Sequence, residues 1–124
     1  MNGLSHGKGI LYYKNVSVKY EGNFDNDKYD EYGKYVSEDG NYYLGQFMNG
    51  LKHDKGKVYY KNGNIVYDGN FVNDKYEGFG KYVYENGNYY VGEFKNGLCN
   101  GKGVEYYKNG SIRYNGIFVD DNFI

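Results

Sequence analysis

The chain has 124 residues, which is enough for one domain or one short repeat array. It contains 20 Gly, 19 Tyr and 7 Phe but no Pro, Trp, Ala or Thr, and this shortage of helix-forming residues argues against an all-α fold. Its 15 basic and 16 acidic residues give a net charge of -1, which argues against nucleic-acid or membrane binding driven by overall charge.

Two kinds of β-strand are predicted to alternate along the chain. The first kind carries the pattern Y-x-G-x-F, whose Tyr, Gly and Phe are two residues apart and therefore share one face of a strand. The second kind starts at a glycine nine residues after Phe and continues with aromatic or β-branched residues. Asn-Gly or Asp-Gly pairs, which are typical of tight turns, follow it. The predicted strands are 9–13, 18–24, 33–37, 41–47, 56–60, 65–71, 80–84, 88–94, 103–107 and 112–118.

The Y-x-G-x-F strands recur at regular intervals, which indicates a repeat protein. They begin at Tyr20, Tyr43, Tyr67, Tyr90 and Tyr114, with spacings of 23, 24, 23 and 24 residues, so two units form a block of 47. We expect a single all-β array over 1–124, stabilised by Tyr and Phe rings of neighbouring units that stack on each other. The expected divisions are a partial unit 1–19, units 20–42, 43–66, 67–89 and 90–113, and a partial unit 114–124.

The residues that follow Y-x-G-x-F extend the pattern. They are a turn, an optional His, a G-x-G and a closing N-G pair, most fully in the unit that begins at Tyr90, with His6 and His53 at the optional position. This pattern resembles the MORN repeat, the membrane occupation and recognition nexus. Two units depart from it, because Glu31 and Asp54 replace the first glycine of G-x-G.

The resemblance implies a fold and a class of function. The fold is a single-layer antiparallel β-hairpin solenoid of about five stacked repeats with an aromatic-lined groove. The function is that of a non-enzymatic scaffold that forms homodimers, docks a partner protein such as a helix, or associates with phosphoinositide membranes. Similar repeat proteins organise cytoskeleton–membrane junctions, and in some protozoa they belong to cell-division rings.

Aromatic residues are the candidate partner-binding side chains. We expect their main role to be stacking within the sheet, while some rings also line a groove for a partner. The candidates on the first strands are Tyr43, Phe47, Tyr67, Phe71, Tyr90 and Phe94. Those on the second strands, where neighbouring tyrosines alternate between faces, are Tyr59, Tyr82 and Tyr106.

The ends of the array are candidate self-association surfaces, because a terminal strand has unpaired backbone groups and half of an aromatic ladder. The last predicted strand has no second strand after it, and it carries Tyr114, Ile117 and Phe118. We therefore expect a closed homodimer through this strand.

Two alternative functions remain open. A lipid-headgroup site is indicated by Lys34, Lys57 and Lys81, which recur at one offset from Phe, although acidic residues interrupt their surroundings. The other alternative is a targeting fragment of a larger enzyme. Without a basic stripe, no nucleic-acid partner is expected.

No catalytic residue, metal site or cofactor is predicted. His6 and His53 are 47 residues apart, and the acidic cluster Asp25, Asp27, Asp30 and Glu31 lacks the spacing of a calcium loop. We expect Cys99 to be an inert loop thiol, although Lys95 and Lys102 nearby in sequence would favour its thiolate and an intermolecular crosslink is the alternative role. The single cysteine and the absence of an apolar leader indicate a cytoplasmic protein, free or associated with cytoskeleton or membrane.

Overall fold

The computed structural model describes residues 6–124, and that range contains no helix. Eleven antiparallel strands form one open sheet in the order in which they occur along the chain. They are β1 Gly7–Tyr12, β2 Val18–Asp25, β3 Lys28–Val36, β4 Tyr42–Met48, β5 Leu51–Tyr59, β6 Ile65–Val72, β7 Lys75–Val83, β8 Tyr89–Lys95, β9 Leu98–Tyr106, β10 Ile112–Val119 and β11 Asn122–Phe123. The expected all-β hairpin solenoid is confirmed. Across residues 6–124 there is no helix of sufficient length and apolarity to cross a membrane.

The two kinds of strand differ in how well their bounds were predicted. Strands with Y-x-G-x-F start and end within one residue of the prediction, as β6 does. The second strands β3, β5, β7 and β9 begin five residues early, so that β5 starts at Leu51 rather than at 56, while β1 begins two residues early. The additional residues include one at positive φ, such as Asp54 at 64° in β5 or Gly78 at 79° in β7. Because such a residue bends a strand without ending its pairing, the ladder continues through a segment whose sequence is typical of a loop.

Two sets of turns lie at opposite ends of the strands. The predicted Asn-Gly and Asp-Gly turns contain Gly40, Gly63, Gly87 and Gly110, whose φ angles are 91 to 93°. In the other set, two consecutive residues have positive φ, as in type I′ turns. These turns are Asn26-Asp27, Asn49-Gly50, Asn73-Asp74, Asn96-Gly97 and Asp120-Asp121.

The core is a ladder of buried rings that runs across the strands. Tyr67 is fully buried and makes edge-to-face contacts with Phe71 of its own strand and Phe94 of the next unit, at centroid distances of 5.1 and 5.2 Å. Tyr43 makes the same two contacts with Phe47 and Phe71, at 5.0 and 5.1 Å. The predicted stacking of Tyr on Phe between units is confirmed, and each unit is stabilised by its neighbours.

Glycines make room for these rings. Gly45 pairs with Gly56 on the neighbouring strand, and a Cβ atom added at Gly45 would lie 2.5 Å from the Gly56 Cα and 2.6 Å from the Tyr43 hydroxyl oxygen. That hydroxyl donates a hydrogen bond of 2.7 Å to the Gln46 carbonyl, which lies at the register shift between Gly45 and Phe47. The buried phenol is therefore satisfied by its own strand.

The end of the sheet corrects one expectation. The last Y-x-G-x-F strand, β10, is followed by the short strand β11, which pairs with it at Phe118 and Val119. The backbone nitrogen of Ile124 also donates to the carbonyl of Ile117. The sequence missed this strand because it has only two residues. The outer edge of β10 is consequently paired at its C-terminal end, and within residues 6–124 its N-terminal part has no strand partner.

Candidate interaction groove

Alternation of side chains along each strand gives the sheet two different faces. In β4, Tyr43 and Phe47 are buried on one face, which we call the groove face, while Tyr42 and Leu44 lie on the opposite face. Partly buried hydrophobic side chains pack against the buried rings; they are Phe24, Tyr29, Tyr35, Val58, Tyr60, Tyr76, Tyr82 and Tyr84. The groove face thus has a floor of core rings and walls of half-exposed tyrosines.

A cavity of about 300 Å³ occupies the middle of this face, and we call it the first pocket. It spans the strands from β3 to β7. Its lining consists of Tyr35, Ser37, Asn41, Tyr42, Tyr43, Lys52, Val58, Phe71, Asp74, Lys75, Tyr76 and Gly97. The walls are mainly aromatic, and the charged side chains lie at one end of the strands.

A second cavity, of about 510 Å³, lies further along the same face, and we call it the second pocket. Its lining consists of Tyr76, Tyr82, Tyr84, Asn86, Asn88, Phe94, Gly97, Cys99, Glu105, Arg113 and Asp121. Tyr76 and Gly97 line both cavities. The two pockets are therefore adjoining compartments of one groove that runs across the strands from β3 to β10.

The two pockets are related by the block of 47 residues. Tyr35, Asn41 and Asp74 of the first pocket correspond to Tyr82, Asn88 and Asp121 of the second. A different set of positions changes between them. Lys52 becomes Cys99, Val58 becomes Glu105 and Val66 becomes Arg113. The duplication has thus preserved part of the lining and altered both the size of the pocket, from about 300 to about 510 Å³, and its charge.

Lys52 gives the first pocket a half-buried cation. Its Nζ lies 5.5 Å from the ring centroid of Tyr43 and 5.7 Å from that of Tyr35, within the range of cation–π attraction. The nearby Asp74 carboxylate accepts a 2.7 Å hydrogen bond from the backbone nitrogen of Lys52. None of the ion pairs within residues 6–124 includes Lys52.

The second pocket contains an ion pair instead. Glu105 is 9% exposed, and its Oε2 accepts a hydrogen bond of 2.9 Å from Nη1 of Arg113. The guanidinium of Arg113 also lies over the ring of Tyr114, at 4.9 Å from the centroid. The buried carboxylate is thereby neutralised by the sole arginine of the chain.

Cys99 differs from the expected loop thiol. It lies in β9 and is 4% exposed, and its backbone nitrogen donates a hydrogen bond of 2.7 Å to the Asp121 carboxylate. Burial raises the pKa of its thiol to about 12, and the charge of Asp121 acts in the same direction. The expectation that neighbouring lysines favour the thiolate is wrong, because the side chain points into the groove face rather than toward them. A buried neutral thiol is also a poor candidate for an intermolecular crosslink.

Comparison with protein families identifies the repeat. The model of the MORN repeat matches residues 1–15, 20–42, 43–65, 67–89 and 90–112, which is most of the chain. The chain belongs to the MORN repeat family. MORN repeats are non-catalytic interaction repeats, so the array is a protein- or membrane-interaction module. No curated protein matches the chain.

The candidate partner-binding residues occupy three different environments in the MORN array. Six of them lie in the core, each 6% exposed or less: Tyr43, Phe47, Tyr67, Phe71, Tyr90 and Phe94. Tyr82 lines the second pocket. Tyr59 and Tyr106 lie on the opposite face, where they stack on Tyr42 and Tyr89 at 4.9 and 4.8 Å. The structure therefore does not bring the nine residues together on one surface.

Sequence reasoning missed the groove tyrosines that precede G-x-G. Tyr29 and Tyr76 stack on Tyr20 and Tyr67 with centroids 3.9 Å apart, and Tyr76 lines both pockets. Each lies five residues after the Phe of Y-x-G-x-F, in the segment whose sequence is typical of a loop. Their separation of 47 residues was the signal that could have identified them.

The candidate self-association residues are also divided. Phe118 is 2% exposed and contacts Tyr90, so it belongs to the core ladder. Tyr114 stacks on Phe123 of β11 at 4.5 Å and is 37% exposed. Ile117 is 43% exposed. Of the three, Ile117 has the largest exposed fraction.

The three candidate lipid-headgroup lysines are exposed and lie in one row across the opposite face. Lys34 and Lys81 each lie over a tyrosine ring, at 4.8 Å from Tyr42 and 4.6 Å from Tyr89. Lys57 is 4.0 Å from the carboxylate of Asp68, which separates it from Lys81 in the same row. Leu44 separates Lys34 from Lys57 in this row, so the three lysines do not form a continuous basic surface.

Residues with metal-binding chemistry are scattered. His6 Nδ1 lies 3.4 Å from Asp25 Oδ1, and both side chains are more than half exposed. Over residues 6–124 no group of three His, Cys, Asp or Glu side chains is placed to hold a metal ion.

Proposed function

We propose that the MORN array is a non-enzymatic scaffold that docks a segment of a partner protein in the groove. The observation that carries this proposal is the continuity of the two pockets through Tyr76 and Gly97. Half-exposed tyrosines combine apolar rings with hydrogen-bonding hydroxyls, and such residues are enriched at the energetic centres of protein interfaces.

A helix suits this groove better than an extended strand. Backbone groups of β3 to β9 are already paired on both sides, so a partner strand cannot be added there. The groove presents side chains only, which is how amphipathic helices are recognised. From β3 to β10 it extends over seven strand spacings, or about 34 Å, and a helix of about 22 residues has that length.

A site-specific crosslinking experiment tests the proposal. A photo-reactive amino acid replaces Tyr84 in the second pocket, and in a matched protein it replaces Phe79, which is 61% exposed on the opposite face. In extracts of the source cell, we expect a discrete crosslinked protein from position 84 and none from position 79. Peptide mapping should place the crosslink in a helical segment. Equal labelling from both positions would contradict the groove as the docking site.

We also propose that the scaffold forms a homodimer through the open edge of β10 and acts at a cytoskeleton–membrane junction in the cytoplasm. The dimer is supported by the unpaired part of this edge and by the exposed Ile117. The location is supported by the family resemblance. Fluorescence localisation in the source cell, with the cortex and division structures marked, tests it.

A phosphoinositide-binding module is the second candidate. It is supported by the exposed Lys34, Lys57 and Lys81 on one face, next to the exposed rings of Tyr32 and Phe79. Sedimentation with vesicles that contain or lack phosphoinositide, at physiological salt, distinguishes this module from the protein scaffold. Loss of binding when the three lysines are replaced together would favour the lipid function.

A further inference from the structure

We propose that Lys52 binds an acidic side chain of the docked segment, and that the second pocket rejects an acid, so that this contact fixes the register of the segment. The inference rests on the proposed function, because it concerns the same groove. It deepens that function by naming the chemistry that the partner must carry.

Lys52 forms no ion pair with another side chain of residues 6–124. Its ammonium lies over the rings of Tyr43 and Tyr35, and the Asp74 carboxylate accepts a hydrogen bond from the Lys52 backbone nitrogen. Lys75 is the other charged side chain of the lining, so the first pocket has a net charge of about +1. A carboxylate that enters this pocket meets a partly desolvated ammonium group that is not bonded to another carboxylate. Ion pairs of this kind are stronger than exposed ones.

The second pocket has the opposite net charge. Cys99 replaces the lysine there, and Glu105 and Asp121 outnumber Arg113, which gives a net charge of about -1. Arg113 is already bonded to Glu105. An acidic side chain in the second pocket would therefore face two carboxylates without a free cation, and this arrangement is repulsive.

The distance between the two pockets sets the spacing of the residues that they contact in the partner. Residues 47 apart lie four strands apart, which corresponds to about 19 Å across the sheet. In a docked helix this distance spans about 13 residues. The partner segment is therefore expected to carry an acid near one end and an uncharged or basic residue about 13 positions away.

A selection experiment tests the inference without knowledge of the natural partner. The probe is a displayed library of amphipathic helical peptides with random surface positions, selected on the intact chain. Peptides are retained only if a Tyr84→Ala variant, which alters the groove, fails to bind them. We expect the retained peptides to be enriched in Asp or Glu at one position.

Matched variants assign that enrichment to one side chain. Lys52→Met keeps the stem and removes the charge, and it should bind the selected peptides about 10-fold more weakly, a typical loss for one charge-assisted contact. Replacing the peptide acid by its amide should have the same effect on the parent chain and none on Lys52→Met. Lys52→Arg should preserve the preference, and Lys57→Met on the opposite face should change nothing.

A gain-of-function variant tests the second pocket. Glu105→Val, Arg113→Val and Cys99→Lys together introduce the residues found one block earlier at these three positions, and peptides with two acids about 13 positions apart should then be selected. Thermal melting confirms that each variant is folded.

The outcomes separate the two proposals. Groove-dependent peptides without an acidic preference, or a preference that survives Lys52→Met, would overturn the inference and leave the scaffold function standing. If no peptide depends on the groove at all, the proposed function fails and the inference fails with it.

Discussion

The ring of Tyr76 lies flat on the ring of Tyr67, with centroids 3.9 Å apart and planes inclined by 8°. Tyr20 and Tyr29 have the same geometry one block earlier. In the units that begin at Tyr43 and Tyr90, the residues at the equivalent position are Lys52 and Cys99, respectively. The array therefore keeps one buried tyrosine per unit and varies the side chain that covers it, and this variation gives each part of the groove its own chemistry.

Removal of a covering ring should destabilise the array. We expect Tyr76→Ala to lower the free energy of unfolding by about 2 kcal/mol, because the half-buried ring contacts Tyr67, Phe71 and Phe94. Urea denaturation followed by circular dichroism measures this change. The control is Tyr32→Ala on the opposite face, which is 53% exposed and should alter the stability by less than about 0.5 kcal/mol.

The glycine pairs under the rings should not tolerate a side chain. Gly45→Val and Gly92→Val should each destabilise the protein by a few kcal/mol, roughly 2 to 4, since the added atoms overlap the backbone of Gly56 or Gly103. Leu44→Val, which introduces the same residue at the neighbouring position, is the control. Unaltered melting of both glycine variants would show that the close approach of these strands can relax.

The ion pair in the second pocket can be replaced by the residues found at the equivalent positions one block earlier. Arg113→Val should destabilise the array, because it leaves the Glu105 carboxylate buried without a partner. The double replacement Glu105→Val with Arg113→Val restores the residues found at 58 and 66, and we expect it to be at least as stable as the parent chain. Thermal melting of the parent, single and double variants gives the comparison. A double variant that is less stable than the parent chain would refute this expectation.

Alkaline pH should unfold the array cooperatively. Burial raises the pKa of Tyr20 and Tyr76 to about 12, from an ordinary value of 10.0, and that of Cys99 to about 12 from 9.0. The unfolded chain therefore loses these protons at lower pH than the folded chain does, and stability falls as the pH rises. Urea midpoints should be constant up to about pH 9 and decrease toward pH 12. In the control Cys99→Ser, the earliest part of this decrease should be smaller.

The parts of the fold that depend on the repeat period, and on which side chains share one face of a strand, could be predicted from the sequence. Tyr67, Gly69 and Phe71 are two residues apart, and that spacing alone places them on one buried face. The extra length of the second strands could not be predicted in this way. Asp54 has a φ of 64° within β5, and a residue in that conformation is ordinarily typical of a turn.

The groove was less predictable than the core for a related reason. The buried tyrosines can be recognised from the Y-x-G-x-F motif. The positions that pack over them hold side chains of different chemistry, namely Tyr29, Lys52, Tyr76 and Cys99. Only the backbone shows that these four residues are equivalent. Likewise, the alternation of Tyr59 and Tyr82 between faces depends on the register of each second strand, which the structure fixes.

Self-association should occur through the open edge of β10. β11 pairs with β10 at Phe118 and Val119, and Ile124 bonds to the Ile117 carbonyl, so among the described residues the part of that edge before Ile117 lacks a strand partner. Ile117 is 43% exposed beside it, and a second copy related by a two-fold axis could pair there in the antiparallel sense. We expect a concentration-dependent dimer in sedimentation that Ile117→Lys weakens about 10-fold or more. Ile10→Lys on β1, at the other end of the sheet, is the matched control and should have no effect. If Ile10→Lys also weakens the association, the copies join head to tail, and a chain that stays monomeric at high micromolar concentration would exclude the edge contact altogether.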